Sequence, residues 1–220
     1  MGRLLNIITP LHTGTRRDYL ARMTDNKVAC SLVAREYGPD YWDGDRSFGY
    51  GGYRYDGRWA PVARQLVNLY GLDNNSRILD AGCGKAHLLY EISLLLPGAE
   101  VAGFDISAHG IGDSPAPIRN RLSVRRLEEP WPWPDKHFDL VISLMALHNL
   151  SLPDLAAALR EMERTGKSKY LAVESHRTVK ELFNLQCWAL TCESFLNPGA
   201  WEWMFQTAGY TGDYEFAFFG

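Results

Sequence analysis

The chain has 220 residues, 46% of them hydrophobic and 22% charged, which excludes wholesale disorder and suits one sizeable domain that folds without disulfide or metal. A formal net charge of −3 advertises no surface for nucleic acid or an acidic membrane. No apolar run approaches the ~20 residues that span a bilayer, the apolar patch at 4–8 is too short for a secretory leader, and four cysteines without metal spacing read as free thiols of a cytoplasmic, metal-free protein.

The first 60 residues read as an N-terminal arm, and 61–220 as the main domain. Residues 37–59 hold eight aromatics and six glycines with neither helical nor strand period, which predicts a loop. Pro61 then opens a helix that ends at Gly71. A strand at 77–80 and a Gly-rich turn lead to a helix at 87–96, stopped by Pro97-Gly98. A strand at 101–105, a broken helix within 107–119 and strands at 122–126 and 138–144 follow. Next come a helix at 151–164, a strand at 170–174, helices at 179–196 and 198–208, and a last strand at 216–219. Strands alternating with helices predict an α/β, Rossmann-like, doubly wound and mainly parallel sheet.

In such a sheet the ligand sits at the carboxyl ends of the strands. The first strand ends in Asp80-Ala81-Gly82-Cys83-Gly84, where two glycines let the backbone approach a ligand and the next helix offers its N–H groups. The second strand ends in Asp105, 21 residues after Gly84, placed to accept both ribose hydroxyls of a nucleoside. A dinucleotide loop wants its third glycine where His87 stands. Asp80 suits an ammonium or sulfonium better than a phosphate. Together these favour S-adenosylmethionine over NAD.

These residues, with Gly103-Phe104-Asp105-Ile106-Ser107, the run Trp133-Pro134-Asp135-Lys136-His137-Phe138-Asp139-Leu140-Val141-Ile142-Ser143 and Ala146-Leu147-His148-Asn149-Leu150, resemble the class I S-adenosylmethionine-dependent methyltransferases. The close match spans about 76–150. The resemblance implies that Gly82, Cys83 and Gly84 lie under the methionine part with Asp80 nearby. It implies that Asp105 holds the ribose, Ile106 packs on adenine, Leu127 and Glu128 meet the adenine edge, and backbone at Ser143 and Leu144 faces the methionine amine. Three features depart from the family: Ala86 replaces the third loop glycine, Leu127 followed by Glu128 stands where the family often has an Asp near the adenine, and only one strand fits after residue 209, so the sheet has six or seven strands.

An electrophilic sulfonium leaves the protein mainly to align the nucleophile, and a hydroxyl acceptor also needs a base. His148, Glu174 and His176, just past strand ends, are the candidates. Arg58 is a candidate partner for the methionine carboxylate. Tyr50, Tyr53, Tyr55 and Trp59 are read as a lid over cofactor and substrate, and Trp188 as a substrate wall. The expected activity is methyl transfer to a hydroxyl or amine of a small soluble acceptor, with a sugar or envelope-glycan precursor as one class, by a monomer or homodimer. The competing readings are a nucleic-acid or protein methyltransferase, an NAD-linked oxidoreductase and a non-catalytic binding module. Residues 143–146 read Ser-Leu-Met-Ala rather than an (N/D/S)PP(Y/F)-like run, which disfavours the nucleic-acid reading.

Overall fold

The computed structural model describes residues 2–220. In the arm, α1 (Thr9–Thr13), α2 (Tyr19–Thr24), α3 (Lys27–Ala34) and α4 (Pro39–Asp43) are short helices, followed by a 3₁₀ turn at Arg46–Phe48. The domain continues with α5 (Ala60–Tyr70), β1 (Arg77–Ala81), α6 (His87–Leu95), β2 (Glu100–Asp105), α7 (Ala108–Gly112), α8 (Ala116–Arg119) and β3 (Leu122–Val124). Then come β4 (Phe138–Leu144), a 3₁₀ turn at Leu147–Asn149, α9 (Leu152–Thr165), β5 (Gly166–Ser175), α10 (Val179–Trp188), α11 (Pro198–Ala208) and β6 (Asp213–Phe218). Local chemistry marks many boundaries. Gly71 and Gly209 cap α5 and α11 in the left-handed region, and Ser107, Thr178 and Asn197 accept backbone N–H groups at the starts of α7, α10 and α11.

The six strands form one sheet in the order β3-β2-β1-β4-β5-β6, and every pairing is parallel. Successive side chains alternate between two cores. Leu79, Val141 and Leu171 pack with Leu155 and Met162 of α9 and Trp201 and Phe205 of α11. Ile78, Leu140, Ile142 and Ala172 pack with Val62 and Leu66 of α5 and Leu89 and Ile92 of α6. Both faces are therefore covered, as a parallel sheet requires. None of the described helices is long and apolar enough to cross a membrane.

The expected strand at 122–126 is shorter, ending at Val124, and four larger differences each have a physical reason. Residues 37–59 are not all loop: Pro39 starts one helical turn, whose Trp42 is buried. Strand β5 begins at Gly166 rather than 170, because the charge of buried Lys169 is answered by Glu163 and the Thr211 hydroxyl, both at 3.0 Å. Strand β6 begins at Asp213 because its carboxylates are occupied: Asp213 by Arg3 and Tyr70, Glu215 by Tyr170 and by the backbone at 7–9. Helix α10 stops at Trp188 rather than 196. The chain beyond it supplies the N–H groups of Glu193 and Ser194 to the carbonyl of His148, both at 3.0 Å.

The arm is tied to the far edge of the sheet. Leu5 donates to the Tyr214 carbonyl at 2.8 Å and Tyr214 donates to that of Arg3 at 3.0 Å, so the first residues run along β6. Glu215, 1% exposed, accepts from the N–H groups of Ile7, Ile8 and Thr9.

Candidate active site

At the carboxyl end of β1 the backbone turns sharply. Gly82 and Gly84 have φ of +81° and +55°. A Cβ on Gly82 would lie 2.5 Å from that of Ala146, and one on Gly84 would lie 2.6 Å from the Trp42 ring. Both positions thus demand glycine for conformation and for space. The N–H groups of Gly82 and Cys83 are held by the Phe104 carbonyl at the end of β2, at 2.8 and 3.0 Å. Ala86 also has positive φ, +55°, and starts α6.

Two carboxylates flank this loop. Asp105 accepts from the N–H of Gly84 and of Ser107, each at 2.8 Å. Burial raises its pKa, while those two hydrogen bonds act against the rise. Asp80 is 4% exposed, and its Oδ1 is buried with no hydrogen-bond partner. Burial, reinforced by the charge of Asp105, pushes its carboxyl up to about 7. An orphaned carboxylate at a glycine cradle is a fit for a cationic ligand.

Beyond the end of β4, His148 and Glu174 meet. The Glu174 N–H donates to His148 Nδ1 at 3.3 Å, which makes Nε2 the protonated nitrogen, and Nε2 lies 3.5 Å from Glu174 Oε2. Oε2 itself is buried and has no hydrogen-bond partner. Burial pushes Glu174 up to about 7. Burial, with a smaller contribution from His12, pushes His148 down to about 3.

One cavity of about 910 Å³ joins the two regions. Of the residues singled out from sequence, it is lined by Asp80, Gly82, Cys83, Gly84, Asp105, Ile106, Leu127, Glu128, Leu144, His148 and Glu174. From the arm and α10 come Tyr50, Tyr53, Arg58, Trp59 and Trp188. Three others are not brought to it. His176 lies beyond the end of β5 and off the lining. Ser143 is fully buried within β4, its hydroxyl donating to the Ala81 carbonyl at 2.8 Å. Tyr55 faces Glu91 and donates to it at 2.8 Å. Arg58 reaches the lining but is bound by Asp56 at 2.5 Å, and both are well exposed.

Trp42 and Lys85 were not singled out from the sequence, and the structure shows which partners they and the expected lid residues Tyr50, Tyr53 and Trp59 take. Trp42 stacks on Tyr50 with ring centres 5.2 Å apart, and its Nε1–H donates to Ser107 Oγ at 2.8 Å, pinning the arm over the loop. Tyr53 stacks on His87 at 4.9 Å and receives the Trp59 Nε1–H at 2.8 Å. Lys85, 1% exposed, bonds Asp43 of the arm and Asp113, each at 2.7 Å. Asp43, His109 and Asp113 bring metal-ligand atoms within 4.8 Å of one another, but the Lys85 ammonium already answers both carboxylates. The signal available in sequence was the crowding of aromatics. It did not say which ring would lie on which glycine.

Comparison with known proteins agrees with this architecture. The chain is 28% identical over 120 residues to an uncharacterized methyltransferase of Synechocystis sp., covering 54% of this chain and 55% of that protein. It is 28% identical over 113 residues to the aklanonic acid methyltransferase DauC of Streptomyces sp., covering 46% and 48%. The chain thus spans about half the length of these curated relatives. Among solved structures, YcgJ of Bacillus subtilis shares the fold with a TM-score of 0.54 and 21% identity, over 66% of each chain. A family profile described as a methyltransferase domain matches residues 72–209, more than half of the chain, and with a parallel sheet and a glycine cradle at its switch point, this chain belongs to that methyltransferase-domain family.

Proposed function

We propose that the chain transfers a methyl group from S-adenosylmethionine to a hydroxyl or amine of a small, soluble cytoplasmic acceptor. The observation that carries this reading is one continuous cavity whose lining includes both Asp80, Gly82 and Asp105 after β1 and β2 and His148 and Glu174 after β4 and on β5. Its 910 Å³ lies at the upper end of the roughly 300–1,000 Å³ usual for small-ligand sites, which suits a nucleoside and an acceptor together.

When bound, S-adenosylmethionine supplies a methyl group already activated by its sulfonium. Asp105 would hold the ribose, the glycine cradle would lie under the methionine part, and Asp80 would balance the cationic end. Glu174 Oε2 accepts the acceptor's proton: it is unpartnered, and a pKa near 7 matches a general base at neutral pH. His148, whose Nε2–H faces that oxygen, orients it. Residues 37–59 act as a lid that excludes water and holds the acceptor in line. A sugar hydroxyl is one acceptor that this arrangement suits.

The test is calorimetry with S-adenosylhomocysteine, followed by incubation of the protein with methyl-labelled S-adenosylmethionine and fractionated small metabolites. Binding plus label in a small-molecule fraction is expected. Absence of S-adenosylhomocysteine binding would overturn the reading.

A further inference from the structure

We propose that the acceptor carries an oxyanion, a phosphate or a carboxylate, held by Arg17, Arg22 and Arg46 around the Trp188 ring; this rests on the methyl-transfer reading above. The three guanidinium carbons lie 5.5, 4.8 and 5.1 Å from the centre of that one ring. All three arginines and Trp188 line the cavity. Among the described residues, none of the three has a carboxylate within 4.0 Å; the ion pairs of this region go to Arg35 and Arg58 instead.

Their partners are backbone carbonyls and one imidazole. Arg22 donates to the carbonyls of Arg46, Ser47 and Gly49, and Arg17 to those of His12 and Thr15 and to His12 Nδ1. These bonds fix the direction of the groups without neutralising them. Free donors remain: Arg17 Nε is buried and unpartnered, and only Nη1 of Arg46 is engaged, by the Gly49 carbonyl at 2.6 Å. Burial lowers the proton affinity of Arg17, Arg22 and Arg46; Arg46 adds like-charge repulsion on the other two, while on Arg17 the more distant Glu174 acts in the opposite sense. Two partly buried cations, Arg17 and Arg22, and the more exposed Arg46, brought together against repulsion, are a binding site for an anion.

The position of the cluster separates it from the nucleoside end. Arg17 also lies 5.1 Å from the Phe219 ring, just after β6, and Trp188 ends α10, between β5 and β6. The glycine cradle follows β1, two strands from β5, or roughly 10 Å at the usual strand spacing. Glu174, at the end of β5, lies on the acceptor side with the cluster. An acceptor anchored there by its anion presents its nucleophilic end to Glu174.

The probes are inorganic pyrophosphate and glutarate, titrated by calorimetry into protein loaded with S-adenosylhomocysteine and, in parallel, into unloaded protein. At least one is expected to bind, and which one identifies phosphate or carboxylate as the anchor. Arg46→Gln and, as a second variant, Arg17→Gln should weaken that binding about tenfold or more, while melting temperature and S-adenosylhomocysteine affinity stay at wild-type values. Failure of both anions to bind either form, or unchanged binding in both variants, overturns the proposal. Loss of S-adenosylhomocysteine binding alone would instead count against the methyl-transfer reading, with the unloaded titrations still deciding the anion site.

Discussion

The Lys85 ammonium bonds both carboxylate oxygens of Asp43, at 2.7 and 2.8 Å, joining the glycine loop after β1 to helix α4 of the arm. Lys85 is buried, whereas the Asp43 side chain keeps a third of its surface. Replacing the lysine therefore removes a buried charge and returns two carboxylates to water, so global stability should change little. The arm, however, loses its charged anchor. Lys85→Met is expected to speed hydrogen exchange across residues 37–59 while leaving α9 and α11 protected. Exchange unchanged in the arm would show that Trp42 and its neighbours hold it without the lysine.

A lid function for that arm makes its own demand. Wild-type protein should gain protection across 50–59 when S-adenosylhomocysteine is added. Equal, high protection with and without it would identify the aromatic cluster as ordinary core, and equal, fast exchange would identify a disordered arm.

The proposed cofactor end has two sensitive positions. Asp105→Ala should lower S-adenosylhomocysteine affinity at least about tenfold, since hydrogen bonds to a charged group are worth about 1.5–3 kcal/mol each. Gly82→Val should be worse, because its Cβ would meet Ala146 at 2.5 Å and a branched residue would have to sit at φ +81°. Calorimetry on folded variants checks both; wild-type affinity in Asp105→Ala would remove that residue from the site.

Glu174 and Asp80 predict a pH dependence of stability. Both folded pKa values, about 7, lie above the ordinary carboxyl values of 4.5 and 3.8. Between those limits each of these two carboxyls binds more protons in the native state than in the unfolded one, so its own contribution falls as pH rises from about 4.5 to about 7, whereas His12, His87 and His148, held down to about 4, 4 and 3, contribute with the opposite sign below about 6.5. The contrast with Glu174→Gln isolates one group: in thermal melts of ligand-free protein the variant should gain stability relative to wild type as pH rises from about 4.5 to about 7. An identical slope in the variant would mean that Glu174 titrates normally.

Glu215 offers a test of the arm's attachment. Glu215→Gln cannot receive all the N–H groups of Ile7, Ile8 and Thr9 while still serving Tyr170, whose hydroxyl lies 2.6 Å from its Oε2. Leaving buried donors unpaired costs about 1–3 kcal/mol. A urea titration should show a loss of that size, and a loss under about 0.5 kcal/mol would mean that the segment detaches without consequence.

What the sequence by itself determined are the features written in local spacing. The helical stripe of Leu155, Leu159 and Met162, the apolar run of β4 and the glycines at 82 and 84 each carry their signal within a few residues, because periodicity and backbone conformation are local properties. That is why the sheet and the glycine turn at the carboxyl end of β1 were legible. The charged strand ends were not: Lys169, Asp213 and Glu215 are tolerable in a sheet only because partners from elsewhere answer them, and Glu215 finds Ile7 across 208 residues. The same holds for Arg17, Arg22 and Arg46, which look like ordinary surface cations until folding gathers them around Trp188. It holds also for Trp42, whose ring closes over Gly84 only once the arm has crossed the sheet. Tertiary structure decided these because burial and charge pairing depend on which distant segments meet, and no local period records that meeting.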